Sequence, residues 1–199
     1  MQTEVRKATA ADIPRLSEAF AAAFQDDPLM GWIYRDDARR RRLLPNAFTF
    51  FLSRWFLRHG ETYMHSEGVG GAVWCPPGTW RITTAEMVRG TPAMVLKTGG
   101  YGFMRGARIF NTIEKEHPHD PPHWYLAILG TEPAAQSKGV GSTVLTPVLE
   151  RCDTEGVPAY LESSNPRNVP FYARHGFVMQ KELEPAKGAW VGCMWRDPR

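Results

Sequence analysis

Apolar residues along the chain alternate between short buried runs and stretches with helical spacing. The run at 124–129 (WYLAIL) is typical of a buried strand, and 61–66 and 70–74 predict two strands joined by a turn. Thr9 and Asp12 have the spacing of a helix cap, and apolar residues recur at helical spacing from there to Phe24. Further helices are predicted over 39–58, 84–97, 105–116, 138–155 and 168–175, and further strands over 4–8, 160–163, 177–184 and 189–195.

Two prolines and a glycine cluster modify these helices. Pro45 is expected near a helix start or at a break, because proline has no amide hydrogen for the helical ladder. Pro147 is expected to bend the helix over 138–155. The glycines at 99–102 are expected to break the region between 84 and 116. The resulting order is β-α-α-β-β, irregular helices, then β-α-β-α-β-β, which predicts an α/β fold with a mixed sheet and helices on both faces.

Length and composition indicate one domain over residues 1–199, because 199 residues with 43% hydrophobic content can bury a sizeable core. The formal net charge of +3 argues against a dedicated nucleic-acid binder. No run approaches the ~18 apolar residues of a membrane helix, and residues 1–4 lack the features of a signal peptide. Cys75, Cys152 and Cys193 have no metal-like spacing. We therefore expect a cytoplasmic protein.

The loop at 136–141 (QSKGVG) is the most informative segment, because it lies between a predicted strand and a predicted helix. The first amides of a helix have no intrahelical partner, and the helix dipole is positive at that end. A diphosphate can therefore be held largely by backbone N–H groups, and glycine lets the anion approach them. A Gly-x-Gly loop by itself is more often a tight turn than a ligand site.

Two sequence elements together indicate a family. Pro133 is followed by Gln136-x-x-Gly139-x-Gly141, and about thirty residues later 165–177 reads NPRNVPFYARHGF. This pair resembles, in order and spacing, the acetyl-coenzyme A signature and the Asn…Tyr-x-x-x-Gly-Phe element of the GCN5-related N-acetyltransferase (GNAT) superfamily. The resemblance implies a GNAT-like, mostly antiparallel sheet in which the central fourth and fifth strands splay apart.

The resemblance also assigns residues to acetyl-coenzyme A as co-substrate. The pantetheine arm would pair with the backbone of the fourth strand, and Asn165 or Asn168 would contact the same arm, unless either is a helix cap. Lys138 is either a phosphate contact or a solvated lysine. The residues implied as the coenzyme-binding set are Leu129, Gly130, Thr131, Gln136, Ser137, Lys138, Gly139, Val140, Gly141, Ser142, Asn165 and Asn168.

The same resemblance implies that Tyr172 is the general acid that protonates the departing thiolate; the alternative is a packed tyrosine. An ammonium acceptor must lose a proton before it attacks, and Glu162, at a strand end, is the best-placed base by sequence. Glu162 could instead face solvent or pair with Arg167. His123, Asp27 or a water chain are the other candidates for the base.

The segment 159–172, with 21–24 near the N-terminus, is similar to the puromycin N-acetyltransferases and their actinobacterial relatives. This predicts transfer of an acetyl group to a primary amine of a small molecule, antibiotic-like or metabolite-like, by direct transfer in a ternary complex. The alternatives are an N-alpha or lysine acetyltransferase of proteins, or a non-catalytic acyl-coenzyme A sensor module. Nucleic acid and membrane are not expected as partners, and the protein could be a monomer or a homodimer.

Two further patterns are given structural interpretations. Residues 117–123 contain three histidines and an aspartate, but the prolines between them favour an extended connector over a metal site, and we expect no metal. The basic run 39–42 is interpreted as a solvated helix face with Asp36 and Asp37 as partners.

Overall fold

The computed structural model of the protein describes residues 5–199, except for the side chains of residues 84, 85, 87, 88, 97 and 98. Residue 4 of the predicted first strand lies outside this range. Residues 1–4, for which no signal peptide is predicted, lie outside it as well. The strands are β1 Val5–Lys7, β2 Thr62–His65, β3 Gly70–Cys75, β4 Trp124–Thr131, β5 Ala159–Ser163, β6 Val178–Ala186 and β7 Ala189–Arg196. The helices are α1 Ile13–Ala23, α2 Pro28–Ile33, α3 Asp37–Phe51, α4 Thr84–Thr98, α5 Gly100–Glu116, α6 Val140–Glu155 and α7 Val169–Arg174.

The seven strands form one sheet in the order β1-β2-β3-β4-β5-β7-β6. Every neighbouring pair is antiparallel except β4 and β5, which are parallel. Only Trp124–Leu126 of β4 pairs with Ala159–Leu161 of β5. Beyond these residues the two strands separate, and each keeps only its outer neighbour. The predicted fold class, a mixed and mostly antiparallel sheet with splayed central strands, is confirmed.

Helices cover both faces of the sheet, because alternate residues of each strand point to opposite sides. On one face, α1, α2 and α3 pack on the sheet around Leu16, Phe20, Leu44 and Ile128. On the other face, α6 packs on it through Val144, Leu145 and Val148. Trp74 and Trp124 are buried beneath α6. The two apolar layers fix the positions of the strand ends that border the gap between β4 and β5.

Local sequence signals explain most element boundaries. Thr9 and Asp12 form a capping box ahead of α1, as predicted. The short α2 was not predicted; the Asp27 side chain caps it by accepting from the amides of Leu29 and Met30, each at 3.0 Å. The break predicted at 99–102 is a single residue, Gly99 with φ 74°, because α5 begins at the next residue.

The expectation for Pro45 in α3 was wrong, and the expectation of a solvated basic run with Asp36 and Asp37 as partners fails only at Arg40. Pro45 lies inside this helix rather than near its start or at a break. The carbonyl that its missing amide would have bonded belongs to Arg41, which is exposed and can be solvated instead. Within the basic run, Arg40 is buried, and its guanidinium donates to the carbonyl oxygens of Gln25 and Tyr34 and to the carboxylate of Asp37. Arg40 therefore ties α3 to the segment around α2.

Candidate active site

The gap between β4 and β5 lies next to the start of α6. The Gln136 side-chain amide donates to the carbonyl oxygen of Thr131, the last residue of β4, at 3.1 Å. A Cβ atom on Gly130 would lie 2.9 Å from Cδ1 of Phe20, so glycine at this position lets α1 approach the strand. The predicted backbone site at Leu129, Gly130 and Thr131 therefore lies on the part of β4 that has separated from β5.

The N-terminus of α6 has the form of an anion site. Its first helical bond runs from the Thr143 amide to the Gly139 carbonyl at 3.0 Å, so the amides of Val140, Gly141 and Ser142 precede the helical ladder. Gly139, the N-cap, has φ 86°, and no side chain caps the helix. Ser137 also has a positive φ, 61°. Several backbone N–H groups are thus available to a ligand at the positive end of the helix dipole.

The other residues of this loop differ in exposure. Gln136, Ser137, Lys138 and Gly139 are exposed, and Lys138 makes no ion pair with any group of residues 5–199. The side chain of Val140 is buried in the core beneath α6, so only its backbone can contact a ligand.

Two residues of α6 face α7 instead. A Cβ atom on Gly141 would lie 3.2 Å from Cζ of Phe171, so glycine allows α7 to pack closely. The Ser142 hydroxyl hydrogen-bonds to Nε2 of His175 at 3.0 Å. The start of α6 is therefore held against α7, which bears Tyr172.

Tyr172 lies in the short helix α7, and its ring is buried. In the described part of the chain, the Tyr172 hydroxyl has no hydrogen-bond partner. The hydroxyl oxygen is not fully enclosed, so solvent or a ligand can reach it. Burial and then the nearby Asp27 carboxylate raise the pKa of Tyr172 above its ordinary value. The hydroxyl therefore stays protonated through neutral pH and can donate a proton.

The two asparagines differ in their roles. The Asn165 side chain accepts from the Arg167 amide at 3.0 Å and caps the short turn Pro166–Asn168 that leads into α7. Asn168 precedes α7 without a side-chain capping bond. The helix-cap alternative thus describes Asn165, while the side chain of Asn168 is not engaged as a cap.

Asp27, a reserve candidate for the base, is a structural cap whose carboxylate also accepts from the Ser164 hydroxyl at 2.6 Å. Its burial raises the pKa of Asp27. Asp27 therefore joins the start of α2 to the end of β5, and its charge acts on Tyr172. The importance of Ser164 had no sequence signal, because its partner is distant in the chain.

Glu162 is buried and does not pair with Arg167. Its Oε1 lies 3.0 Å from Nδ1 of His117, and its Oε2 is enclosed without a hydrogen-bond partner in the described part of the chain. Trp80 stacks on the His117 ring with centroids 3.8 Å apart, and Tyr125 and Tyr160 meet that ring edge-on. Glu162 therefore lies in an aromatic enclosure rather than in solvent.

His117 is the residue that sequence reasoning missed, since it was weighed only as a metal ligand. It contacts both Glu162 and His123, the other reserve candidate for the base. Among residues 5–199, no group of three or more His, Cys, Asp or Glu side chains is arranged to hold a metal ion. The three histidines within seven residues were a usable signal for a functional segment. No sequence pattern indicates, however, that His117 contacts Glu162 on β5.

A mostly antiparallel sheet with splayed central strands, and a helix N-terminus without a side-chain cap beside the gap, are the features of a GNAT-like fold. A sequence model of the acetyltransferase (GNAT) family matches residues 100–177. An uncharacterized N-acetyltransferase of Schizosaccharomyces pombe is 26% identical over 187 residues, covering 89% of this chain and 75% of that protein. These two matches support membership of the GCN5-related N-acetyltransferase superfamily.

Solved structures agree with this assignment. A Corynebacterium glutamicum structure, described as histone acetyltransferase HPA2 and related acetyltransferase, is 27% identical with a TM-score of 0.74, covering 100% of this chain and 98% of its own. Arylalkylamine N-acetyltransferase 2 of Aedes aegypti shares the fold at 13% identity, with a TM-score of 0.67 and full coverage of both chains. Within residues 5–199, no helix is both long and apolar enough to cross a membrane.

Proposed function

We propose that the protein is an acetyl-coenzyme A-dependent N-acetyltransferase that acetylates a primary amine of a small molecule, by direct transfer in a ternary complex. A single domain, residues 1–199, would perform this reaction. The observation that carries the proposal is the gap between β4 and β5, bordered by the uncapped start of α6. The buried free thiols of Cys75, Cys152 and Cys193 support a cytoplasmic location, where thiols stay reduced.

The residues present fit coenzyme A. The diphosphate would be held by the backbone of Gln136–Ser142, where Gly139 leaves open space and no side chain competes for the amides. Lys138, exposed and without an ion pair in residues 5–199, adds a mobile positive charge. The free edge of β4 at Leu129, Gly130 and Thr131 is available to pair with the pantetheine amides. Bound acetyl-coenzyme A supplies an activated acetyl thioester.

The chain's own residues then handle two protons. Tyr172 holds a proton on a hydroxyl that has no competing partner in the described chain, and it would give that proton to the leaving sulfur. Glu162 would receive the proton that the acceptor nitrogen loses. The enclosure around Glu162 keeps water away and strengthens the electrostatic interactions of its carboxyl group.

The aromatic surroundings of Glu162 support a small acceptor. Trp80, Tyr125 and Tyr160 lie around the His117–Glu162 contact. Aromatic side chains around a small number of polar groups are typical of small-molecule sites. A protein acceptor is the second candidate, because the 27% identical Corynebacterium structure is described as a histone acetyltransferase.

The test is release of free thiol from acetyl-coenzyme A in the presence of small primary amines, puromycin among them, and of lysine-bearing and free α-amine peptides. Mass spectrometry of the acceptor confirms each product. Turnover with a small amine supports the proposal, and turnover with peptides alone favours the second candidate. Coenzyme A binding without turnover of any acceptor would favour the non-catalytic sensor module.

A further inference from the structure

Three titratable side chains from different parts of the chain form a continuous hydrogen-bonded series. Glu162 Oε1 lies 3.0 Å from His117 Nδ1, His117 Nε2 lies 3.1 Å from His123 Nε2, and His123 Nδ1 lies 2.8 Å from the carbonyl oxygen of Pro121. All three side chains are buried, whereas Pro121 is exposed. We call Glu162, His117 and His123 the relay triad.

The number of protons on the relay triad follows from its hydrogen bonds. A carbonyl oxygen can only accept, so His123 Nδ1 must bear a hydrogen. Each of the other two contacts also needs one hydrogen between its atoms, so the three contacts need three protons. A carboxylate with two neutral imidazoles holds only two protons and has a net charge of −1. The complete series therefore holds one more proton and is neutral overall.

The extra proton belongs to the Glu162–His117 contact. Burial lowers the pKa of His123, which disfavours a cation there, so His117 Nε2 donates to His123. The remaining proton then lies between His117 Nδ1 and Glu162. His117 is the C-cap of α5, where the negative end of the helix dipole stabilises a cation. The stacked ring of Trp80 fixes the orientation of His117.

The groups that face the relay triad do not supply a compensating charge. Tyr125 on β4, Tyr160 on β5 and Cys193 on β7 lie near Glu162, and burial raises the pKa of each, so all three are neutral at neutral pH. The Tyr125 hydroxyl is close enough to Glu162 to act as a neutral hydrogen-bond donor, but it brings no positive charge. His119 faces His123 from the connector. Loss of the third proton therefore leaves a buried negative charge.

We propose that the relay triad as a unit, rather than Glu162 alone, is the general base of this acetyltransferase. This inference rests on the proposed function. In its two-proton state the triad takes the proton that the acceptor nitrogen loses as the C–N bond forms, and all three of its hydrogen bonds are then complete. The proton afterwards leaves to solvent, while Tyr172 protonates the sulfur as the C–S bond breaks and regains its proton from solvent. His117 and His123 are positioning residues that act through Glu162.

The first experiment needs neither acceptor nor turnover. Nitrogen-15 NMR of the full chain labelled at histidine, near neutral pH, reports which ring nitrogens bear hydrogen, with signals assigned from His117→Gln and His123→Gln. We expect a protonated Nδ1 on His123 and a protonated Nε2 on His117. An unprotonated nitrogen at either position would overturn the proton count, whatever the enzyme's activity.

The second experiment compares two substitutions of His117 in the pH profile of kcat with an accepted amine. In His117→Asn the amide takes the place of Nδ1 and donates to the carboxylate, so the midpoint of the rising limb should move to lower pH. In His117→Gln the amide takes the place of Nε2, and the carboxyl group loses its partner, so the midpoint should move to higher pH. Both variants should lose about 10-fold or more in kcat.

The KM for acetyl-coenzyme A should not change in either variant, because His117 does not border the start of α6. His59→Gln is the matched control: it removes a half-buried histidine whose electrostatic neighbours are Arg58 and Glu86 rather than the triad, and it should leave the profile unchanged. Midpoints that move equally, or not at all, in the two His117 variants would refute the role of the triad. Failure of coenzyme A binding in the wild type would instead refute the proposed function.

Discussion

Gly139 and Gly156 offer a matched test of the anion site, because they lie at opposite ends of α6. Both have a positive φ, 86° and 66°, and a Cβ atom at either position would meet nothing within 4 Å. Alanine at either position therefore introduces backbone strain without a clash. Only Gly139 lies beside the amides that would hold the diphosphate.

The stability cost should be the same at both ends. A left-handed alanine costs about 1–2 kcal/mol relative to glycine, and the lower entropy of the unfolded chain returns roughly 0.4–1 kcal/mol. Gly139→Ala and Gly156→Ala should therefore each lower the free energy of unfolding by about 1 kcal/mol. For a chain of this size, that corresponds to a Tm lower by about 2–4 °C.

Coenzyme A affinity should separate the two variants. A hydrogen bond to a charged group contributes about 1.5–3 kcal/mol, and a methyl group at Gly139 should displace at least one. Isothermal titration calorimetry should then show a Kd about 10-fold higher or more for Gly139→Ala, since each 1.4 kcal/mol is about tenfold. Gly156→Ala should bind as the wild type does. Equal Kd values for both variants would refute the diphosphate site at the start of α6.

Three further predictions follow from the site. Tyr172→Phe should lower kcat about 10²-fold or more, because it removes the proposed acid. Coenzyme A affinity and Tm should stay close to wild type, because the lost hydroxyl has no partner in the described chain. An unchanged kcat in the thiol assay would exclude the acid role. Since burial raises the pKa of Tyr172, the hydroxyl stays protonated, and the pH profile should show no loss of kcat from its ionisation below about pH 10; a falling limb that Tyr172→Phe abolishes would contradict this. Asn165→Ala should lower the free energy of unfolding by about 1 kcal/mol through loss of its cap, while Asn168→Ala, without a capping bond, should change it little in urea unfolding; equal effects would refute the distinction.

The features that could be predicted from the sequence depend on local signals. The Thr9–Asp12 box, the glycines at 139 and 156 and the apolar run of β4 each act within a few residues, and they set element boundaries. The family elements at 136–141 and 165–177 then ordered those pieces into a known sheet.

The features that could not be predicted depend on long-range packing. Glu162 and His117 are 45 positions apart, and their contact exists only because the C-terminus of α5 ends over β5. Arg40 reads as a solvated cation, but it is buried because backbone carbonyls on the neighbouring segment bond its guanidinium. Periodicity gives no information on such pairings.

Hydrogen–deuterium exchange with and without coenzyme A tests the central claim most directly, because it locates the ligand without requiring an acceptor. The account predicts slower exchange for the amides of Ser137–Ser142 and for the free edge of β4 at Leu129–Thr131 when coenzyme A is added at saturation. The far end of α6, at Gly156, should not change. Protection elsewhere in the chain with none at these two segments would contradict the account.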